Sequence, residues 1–299
     1  MAKKPSTSKL RQVRRKLGIV RHNWAEIQNF EQITYDRDKY FTERQILFDQ
    51  SNDWRVFLAN KYLKDKGLEI GPAEHPLPAP HWAKVTYVDE ISTDDLIKLY
   101  PYLKRHNLVN VDVVDDGQVL SKFKDRSQNF VIANHFLEHV IDPIKTIRNF
   151  YRVLKPGGII YMAVPDKRFT FDKMRPITPL ERLVDFHQDP AKAEAGKWPM
   201  FVESAKLIEG ESGKDIQIRA KQLYDEKFSV HLNVWAQHDL IDLLQYIIRT
   251  YKLELDFEVV VKNQHEVILV LQKQPKSMVK ENASVKKVRR VHGDQSKKK

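Results

Sequence analysis

The sequence predicts an α/β fold, a mostly parallel sheet with helices between its strands and an antiparallel hairpin at its end. Three observations predict it. Short β-rich runs alternate with helical segments between Gly67 and Val164. A strongly apolar helix, Leu240 to Tyr251, follows a long interruption. Leu253, Leu255, Phe257, Val259 and Val261 then alternate strictly, and Glu266 to Leu271 returns across the 262–265 loop as the second arm of a hairpin.

The elements can be justified in order. Between Trp24 and Tyr62 the chain is polar with scattered aromatics, as expected of one or two helices ahead of the sheet. Gly67-Leu68-Glu69-Ile70 is a short buried strand cut by the turn Gly71-Pro72. Lys84 to Val88 is a second strand, ending at Asp89. Ser92, with Asp95 three residues on, opens a capped helix carrying Leu96, Ile97 and Leu99, which Pro101 stops. Val109 to Val114 is a third strand, followed by Asp115-Asp116-Gly117, and Asn129 to Ala133 is a fourth. Asp142 can then cap a helix whose first position is Pro143, with Ile144, Ile147, Tyr151 and Leu154 on one face. Lys155-Pro156-Gly157-Gly158 ends it, and Ile159 to Val164 is a fifth strand.

Composition narrows the class. A chain of 299 residues with 41% hydrophobic content makes one large domain or two small ones. Such a chain buries roughly three quarters of its unfolded surface. No apolar run approaches the ~18–20 residues of a membrane span, which excludes an integral helical membrane protein. The first 22 residues are basic and lack the apolar stretch of a secretory signal. The absence of cysteine excludes disulfides, thiolate zinc sites, cysteine nucleophiles and cysteine-ligated iron–sulfur clusters. The expectation is a cytoplasmic, soluble, metal-indifferent protein. The net charge of +11 is concentrated at the ends: residues 1–22 carry +8, residues 273–299 a further +8, and the body about −5. These segments read as disordered arms, either solubilising or suited to nucleic acid or an anionic surface.

In an open α/β sheet, ligands bind outside the carboxyl ends of the strands, near the point where strand order reverses. The strand ends here are polar. Gly71 permits a tight turn and close backbone approach, although the dinucleotide fingerprint G-x-G-x-x-G is absent. Asp89, eighteen residues further on, is placed to accept the hydroxyls of a ribose. Asp116-Gly117 can reach a purine edge, and Asn134-His135 would point into the same crevice.

Leu68-Glu69-Ile70-Gly71-Pro72, Tyr87-Val88-Asp89 and Asp115-Asp116-Gly117, in that order, resemble the class I S-adenosylmethionine-dependent methyltransferases. The runs Asn134-His135-Phe136-Leu137-Glu138-His139, Arg152-Val153-Leu154-Lys155-Pro156-Gly157-Gly158 and Val164-Pro165-Asp166 resemble their type 11-like branch. Glu69 to Asp172 is similar to a bacterial subgroup associated with glycosyltransferases and surface-polysaccharide genes. The resemblance implies a Rossmann-like, seven-stranded, mostly parallel sheet with the antiparallel hairpin at its C-terminal edge, and S-adenosyl-L-methionine as cofactor. It implies that Glu69, Gly71 and Pro72 adjoin the methionine portion, Asp89 the ribose, Asp116 and Gly117 the adenine, and Asn134 the sulfonium. One departure is plain: where the family carries two or three glycines, Gly71 is followed by Pro72-Ala73-Glu74-His75.

The implied domains are a basic arm (1–22), a helical extension (23–66), the methyltransferase domain (67–272) and a basic tail (273–299). Residues 165–235 form an insertion expected to act as a lid and to choose the acceptor. His135 and His231 are the candidate bases. Arg168 and Arg175, in a cluster with Lys167 and Lys173, and His187 are candidates to bind a phosphorylated or carboxylated acceptor. A small molecule or saccharide methylated at oxygen is the leading reading. The alternatives are an RNA methyltransferase using the basic arms, or a non-catalytic scaffold of the same fold. A proline-proline-aromatic motif for exocyclic amino methylation is missing after the fourth strand.

Overall fold

The computed structural model describes residues 54–100, 103–104 and 108–275. The basic arms and most of the helical extension lie outside these residues. The chain divides into two compact units. Residues 54–200 and 228 onward fall in the unit that contains the whole sheet, while 201–227 fall in the other.

In chain order the elements are α1 (Trp54–Tyr62), β1 (Asp65–Ile70), β2 (Ala83–Asp89), α2 (Thr93–Leu99), β3 (Val113–Val114), β4 (Gln128–Ile132), α3 (Pro143–Val153) and β5 (Leu154–Pro165). Helices α4 (Leu180–Gln188), α5 (Pro190–Leu207) and α6 (Asp215–Asp225) follow, then α7 (Gln237–Thr250), β6 (Leu255–Asn263) and β7 (Glu266–Lys273). The seven strands form one sheet in the order β3-β2-β1-β4-β5-β7-β6. The first five are mutually parallel, while β7 runs antiparallel to both β5 and β6. The predicted class and the C-terminal hairpin are both observed.

Alternation within the strands splits the core between the two faces of the sheet. Leu68, Ile70, Val131, Met162, Val164 and Leu269 pack with Ile144, Ile147 and Phe150 of α3 and Leu240, Leu244 and Ile247 of α7. Phe130, Ile132, Tyr161, Ile268 and Val270 pack on the other face with Leu58 and Ala59 of α1. The order in which successive strands are added reverses between β1 and β4, so the crevice at their carboxyl ends is where a ligand belongs.

Capping follows the sequence. The Ser92 Oγ accepts from the Asp95 N–H at 3.2 Å, and the Asp142 carboxylate accepts from the Lys145 N–H at 2.8 Å with Pro143 at the first helical turn. The buried face of α3 differs by one step from expectation. Phe150 and Val153 fill it, Tyr151 is half-buried, and Leu154 has left the helix to start β5. The strand begins before the Pro-Gly-Gly because Gln128 pairs with Leu154, and an irregularity between Gln128 and Phe130 absorbs the extra residues. The third strand shrinks to Val113–Val114.

The insertion leaves and rejoins the sheet at one point. The Lys167 N–H donates to the Trp235 carbonyl at 2.9 Å, and the Thr178 N–H to Val234 at 2.8 Å. No helix among the described residues is long and apolar enough to cross a membrane.

Gly67 is where β1 and β4 come too close for any side chain: a Cβ there would lie 2.3 Å from the Phe130 ring. Gly67→Ala should therefore destabilise the fold by about 1–3 kcal/mol. Urea unfolding will read this as a lower midpoint at unchanged slope, and a midpoint equal to the parent's would contradict it.

Candidate active site

The crevice is built from four strand ends. At the first, Glu69 is fully buried and its Oε1 accepts from the Leu77 N–H at 2.7 Å, drawing the following loop back onto the sheet. Its Oε2 has no hydrogen-bond partner. Burial raises its pKa to about 7, against the opposing pull of the Leu77 N–H and the Arg55 charge. Gly71 follows with φ +59°, and its N–H donates to the Val88 carbonyl at 2.8 Å. Ala73 also adopts a left-handed conformation, φ +44°. The loop thus keeps its tight turns with a single glycine, Ala73 accepting the strain and the buried Pro72 fixing the turn.

At the second strand end, Asp89 is half-buried, and its Oδ1 accepts from the Ile91 N–H at 3.4 Å, with the Glu90 N–H also near. Burial raises its pKa above the ordinary carboxylate value. At the third, the two aspartates divide the work. Asp115 is buried, accepting from the Ser121 hydroxyl at 2.7 Å and the Lys122 N–H at 2.8 Å, and so braces the loop. Asp116 is exposed, with Oδ1 on the Gln118 N–H at 2.8 Å. A Cβ on Gly117 would lie 2.4 Å from Ile70 and 2.8 Å from the Phe136 ring, so only glycine lets this loop sit against β1.

Asn134 follows the fourth strand. Both polar atoms of its side-chain amide are buried and neither has a hydrogen-bond partner. A buried amide left in that state costs about 1–3 kcal/mol. The next residue, His135, has φ +48°, and its Nε2 meets the Glu266 carboxylate at 2.8 Å while Nδ1 lies 3.5 Å from Glu138. Glu266 also accepts from Arg55 through two guanidinium nitrogens, Nε and Nη2, and from Asn263 at 2.7 Å. Although burial pulls the other way, the carboxylates of Glu138 and Glu266 raise His135 to about 9. Its partner Glu266 is lowered to about 2: burial opposes this, and the His135 and Arg55 hydrogen bonds outweigh it. His135, expected as a base, is a cation at neutral pH with both nitrogens facing carboxylates.

His231 is differently placed. Its Nδ1 meets Asp172 at 2.6 Å, and Asp172 also accepts from Arg175 at 2.9 Å. Burial opposes ionisation of Asp172, yet the His231 and Arg175 hydrogen bonds hold its pKa low. The carboxylate fixes the imidazole's orientation, the arrangement that a base needs. Arg175, expected to meet the acceptor, is 3% exposed and is used up in orienting Asp172. His187, a further acceptor candidate, joins α4 to α3 instead, with Nδ1 on Asp142 at 2.8 Å and Nε2 on Arg148 at 3.1 Å. Arg168 forks onto the buried Asp166 at 2.9 and 2.5 Å, with nearly half of its side chain still exposed. Glu266, Arg55 and Asp172 were missed by the sequence reading. They stand 131, 80 and 59 positions from the histidines they serve, and no spacing rule connects them.

The profile of a family described as a methyltransferase domain matches residues 39–245 of this chain. The chain belongs to that family. The match bears out the resemblance to class I methyltransferases. Among curated proteins, an uncharacterized protein of Methanocaldococcus jannaschii is 28% identical over 48% of this chain and 65% of its own length. A demethylmenaquinone methyltransferase of Listeria welshimeri is 30% identical over 36% of this chain and 37% of its own length. The chain thus spans less than two thirds of either relative. A solved structure from Thermotoga maritima, described as a SAM-dependent methyltransferase and possible histamine N-methyltransferase, is 14% identical, with a TM-score of 0.41 over 82% of this chain and 98% of that one. A SAM-dependent methyltransferase from Methanosarcina mazei is 18% identical, with a TM-score of 0.38 over 72% and 96%.

Glu69 generates a prediction from its raised pKa. A carboxyl whose folded pKa lies above its unfolded value contributes stability that is full below about pH 4.5 and lost as the pH rises through about 7. Glu69→Gln should remove that slope and raise stability at pH 8 by up to about 3 kcal/mol. Unfolding curves of the free protein between pH 4.5 and 8 will check this, and parallel profiles for parent and variant would refute it.

Proposed function

We propose that the protein transfers a methyl group from S-adenosylmethionine to an oxygen of a small-molecule or saccharide acceptor. The observation that carries the cofactor reading is the Asn134 amide, buried and unpartnered beside the strand-order reversal. A ligand that bonds to it recovers the free energy the apo fold forgoes. The other strand ends fit the same molecule. Glu69 and Gly71 would adjoin the methionine portion, with Pro72 shaping the turn. Asp89, half-buried at the carboxyl end of β2, would accept from two ribose hydroxyls. The exposed Asp116 carboxylate suits an adenine amine, and Gly117 holds that carboxylate's loop close against β1 and Phe136, beside the crevice. When bound, the cofactor supplies an activated methyl group, so the chain's task is orientation and proton management.

For the acceptor, the turns after β5 offer exposed Phe169 and Phe171 beside cationic Arg168 and Lys262, the Lys262 Nζ lying 3.9 Å over the Phe169 ring. Aromatic faces stack on sugar rings, and the cations suit a phosphate or carboxylate on the acceptor. This supports a nucleotide sugar or acidic glycan. With His135 engaged on both sides, His231, steered by Asp172, is the better candidate to take a hydroxyl proton.

Asp89→Ala should weaken S-adenosylmethionine and S-adenosylhomocysteine by on the order of 1–3 kcal/mol in isothermal titration. An unchanged dissociation constant would remove Asp89 from the ribose site. With labelled cofactor and a panel of nucleotide sugars and acidic oligosaccharides, His231→Ala should lower turnover by roughly 100-fold or more while cofactor affinity holds. Methylation of RNA alone would overturn the acceptor reading.

A further inference from the structure

His231 belongs to a second grouping. One ligand atom from each of Glu138, His139 and His231 lies within 4.8 Å of the others. We propose that these three residues form a binding site for a divalent transition-metal ion of the zinc and cobalt type. The proposal rests on the reading that the adjoining crevice handles methyl transfer. With the ion bound, His231 serves as a ligand instead of a base, and an acceptor hydroxyl in the ion's open position would lose its proton to solvent through the ion's acidifying effect.

Glu138 supplies the first argument. It is 1% exposed, and neither carboxylate oxygen has a hydrogen-bond donor. The nearest imidazole nitrogens are His135 Nδ1 at 3.5 Å and His139 Nε2 at 4.0 Å, both longer than a good hydrogen bond. Burial lowers the pKa of His139, which favours the neutral, ligating form. A fully buried carboxylate whose one close cation, His135, is held more tightly by Glu266 is left under-satisfied, and a metal ion at that point would satisfy it.

The second argument is how the imidazoles are held. Metal-binding histidines characteristically give their other ring N–H to a backbone carbonyl or a carboxylate, which orients the ring and fixes the tautomer. Both arrangements are present. His139 Nδ1 meets the Val230 carbonyl at 3.1 Å and the Ser229 hydroxyl at 3.0 Å. His231 Nδ1 meets Asp172 at 2.6 Å, with Arg175 behind it. Each ring therefore keeps Nε2 for a ligand, and the two rings stand edge to face with centroids 4.8 Å apart.

Backbone bonds fix the set in advance. The Leu232 and Asn233 N–H groups both donate to the Glu138 carbonyl, at 2.8 and 2.9 Å, clamping the segment that carries His231 to the turn that carries the other two residues. Tetrahedral zinc with bonds of about 2.0–2.1 Å separates its ligand atoms by about 3.3 Å, so the set closes by side-chain movement of roughly 1–1.5 Å. Two imidazoles and one carboxylate leave a coordination position open, as in catalytic rather than structural zinc sites. The nitrogen donors select against magnesium and calcium, which prefer oxygen. The other such cluster among the described residues, His135, His265 and Glu266, is unsuitable because Arg55 and Asn263 already occupy the Glu266 carboxylate.

The full chain, stripped with chelator, should be titrated with Zn²⁺ calorimetrically and with Co²⁺ by visible absorption. One equivalent should bind, with the intense d–d bands of a four-coordinate cobalt site. Glu138→Gln and His139→Gln should each abolish that equivalent. Asp172→Asn, which loosens His231 without removing a ligand, should weaken it about 10–100-fold. Absence of stoichiometric binding, or binding that survives both ligand substitutions in folded variants, would overturn the proposal. Titration with S-adenosylhomocysteine on the same metal-free protein separates the two ideas. Cofactor binding without zinc binding sinks the metal site alone, and zinc binding without cofactor binding sinks the methyltransferase reading.

Discussion

The carboxylate of Glu266 is the interaction on which the active end of the sheet depends. It lies at the start of β7, 1% exposed, and gathers Arg55 from α1, His135 from beyond β4 and Asn263 from the end of β6. Arg55 and His135 are cations that would otherwise face each other in a poorly hydrated space. Such a network is not a large net source of stability compared with apolar packing, but removing one member leaves a buried charge uncompensated. Its effect is positional. It pins His135 in a left-handed backbone conformation and so sets where Asn134, one residue earlier, and Glu138, three residues later, must stand.

Much of this was legible in the sequence because the governing rules are local. Period-two and period-3.6 patterns, the Ser92 and Asp142 caps and the turn at Gly71 located the strands and helices, and their order implied the sheet. Boundaries slipped where neighbours overruled local signals. Leu154 joined β5 because Gln128 offered a ladder partner, and Val109 to Asp112 stayed outside the two-residue β3. The polar strand ends were visible for the same local reason. The jobs of the charged residues were not, because each is decided by a partner far away in the chain. Nothing near Asp172 in sequence announces His231, and nothing near His135 announces Glu266.

The loop after β1 shows how a motif can change while its geometry persists. The family habit of several glycines secures left-handed turns and close approach. Here Gly71 supplies the first and Ala73 takes the second at a modest steric cost. The closure that the additional glycines would have allowed is imposed by Glu69, which holds the Leu77 N–H from below. The price of that device is a carboxyl group poised to titrate near neutrality in the free protein.

The paired ends of the insertion carry a further consequence. Lys167 meets Trp235 and Thr178 meets Val234, so the insertion starts and finishes side by side at the rim of the sheet, and α4 returns to α3 through His187. Residues beyond those paired ends can lengthen, shorten or be exchanged without disturbing the register of β5 and β7. A lineage built on this plan can diversify its substrates by replacing a module rather than by redesigning a fold.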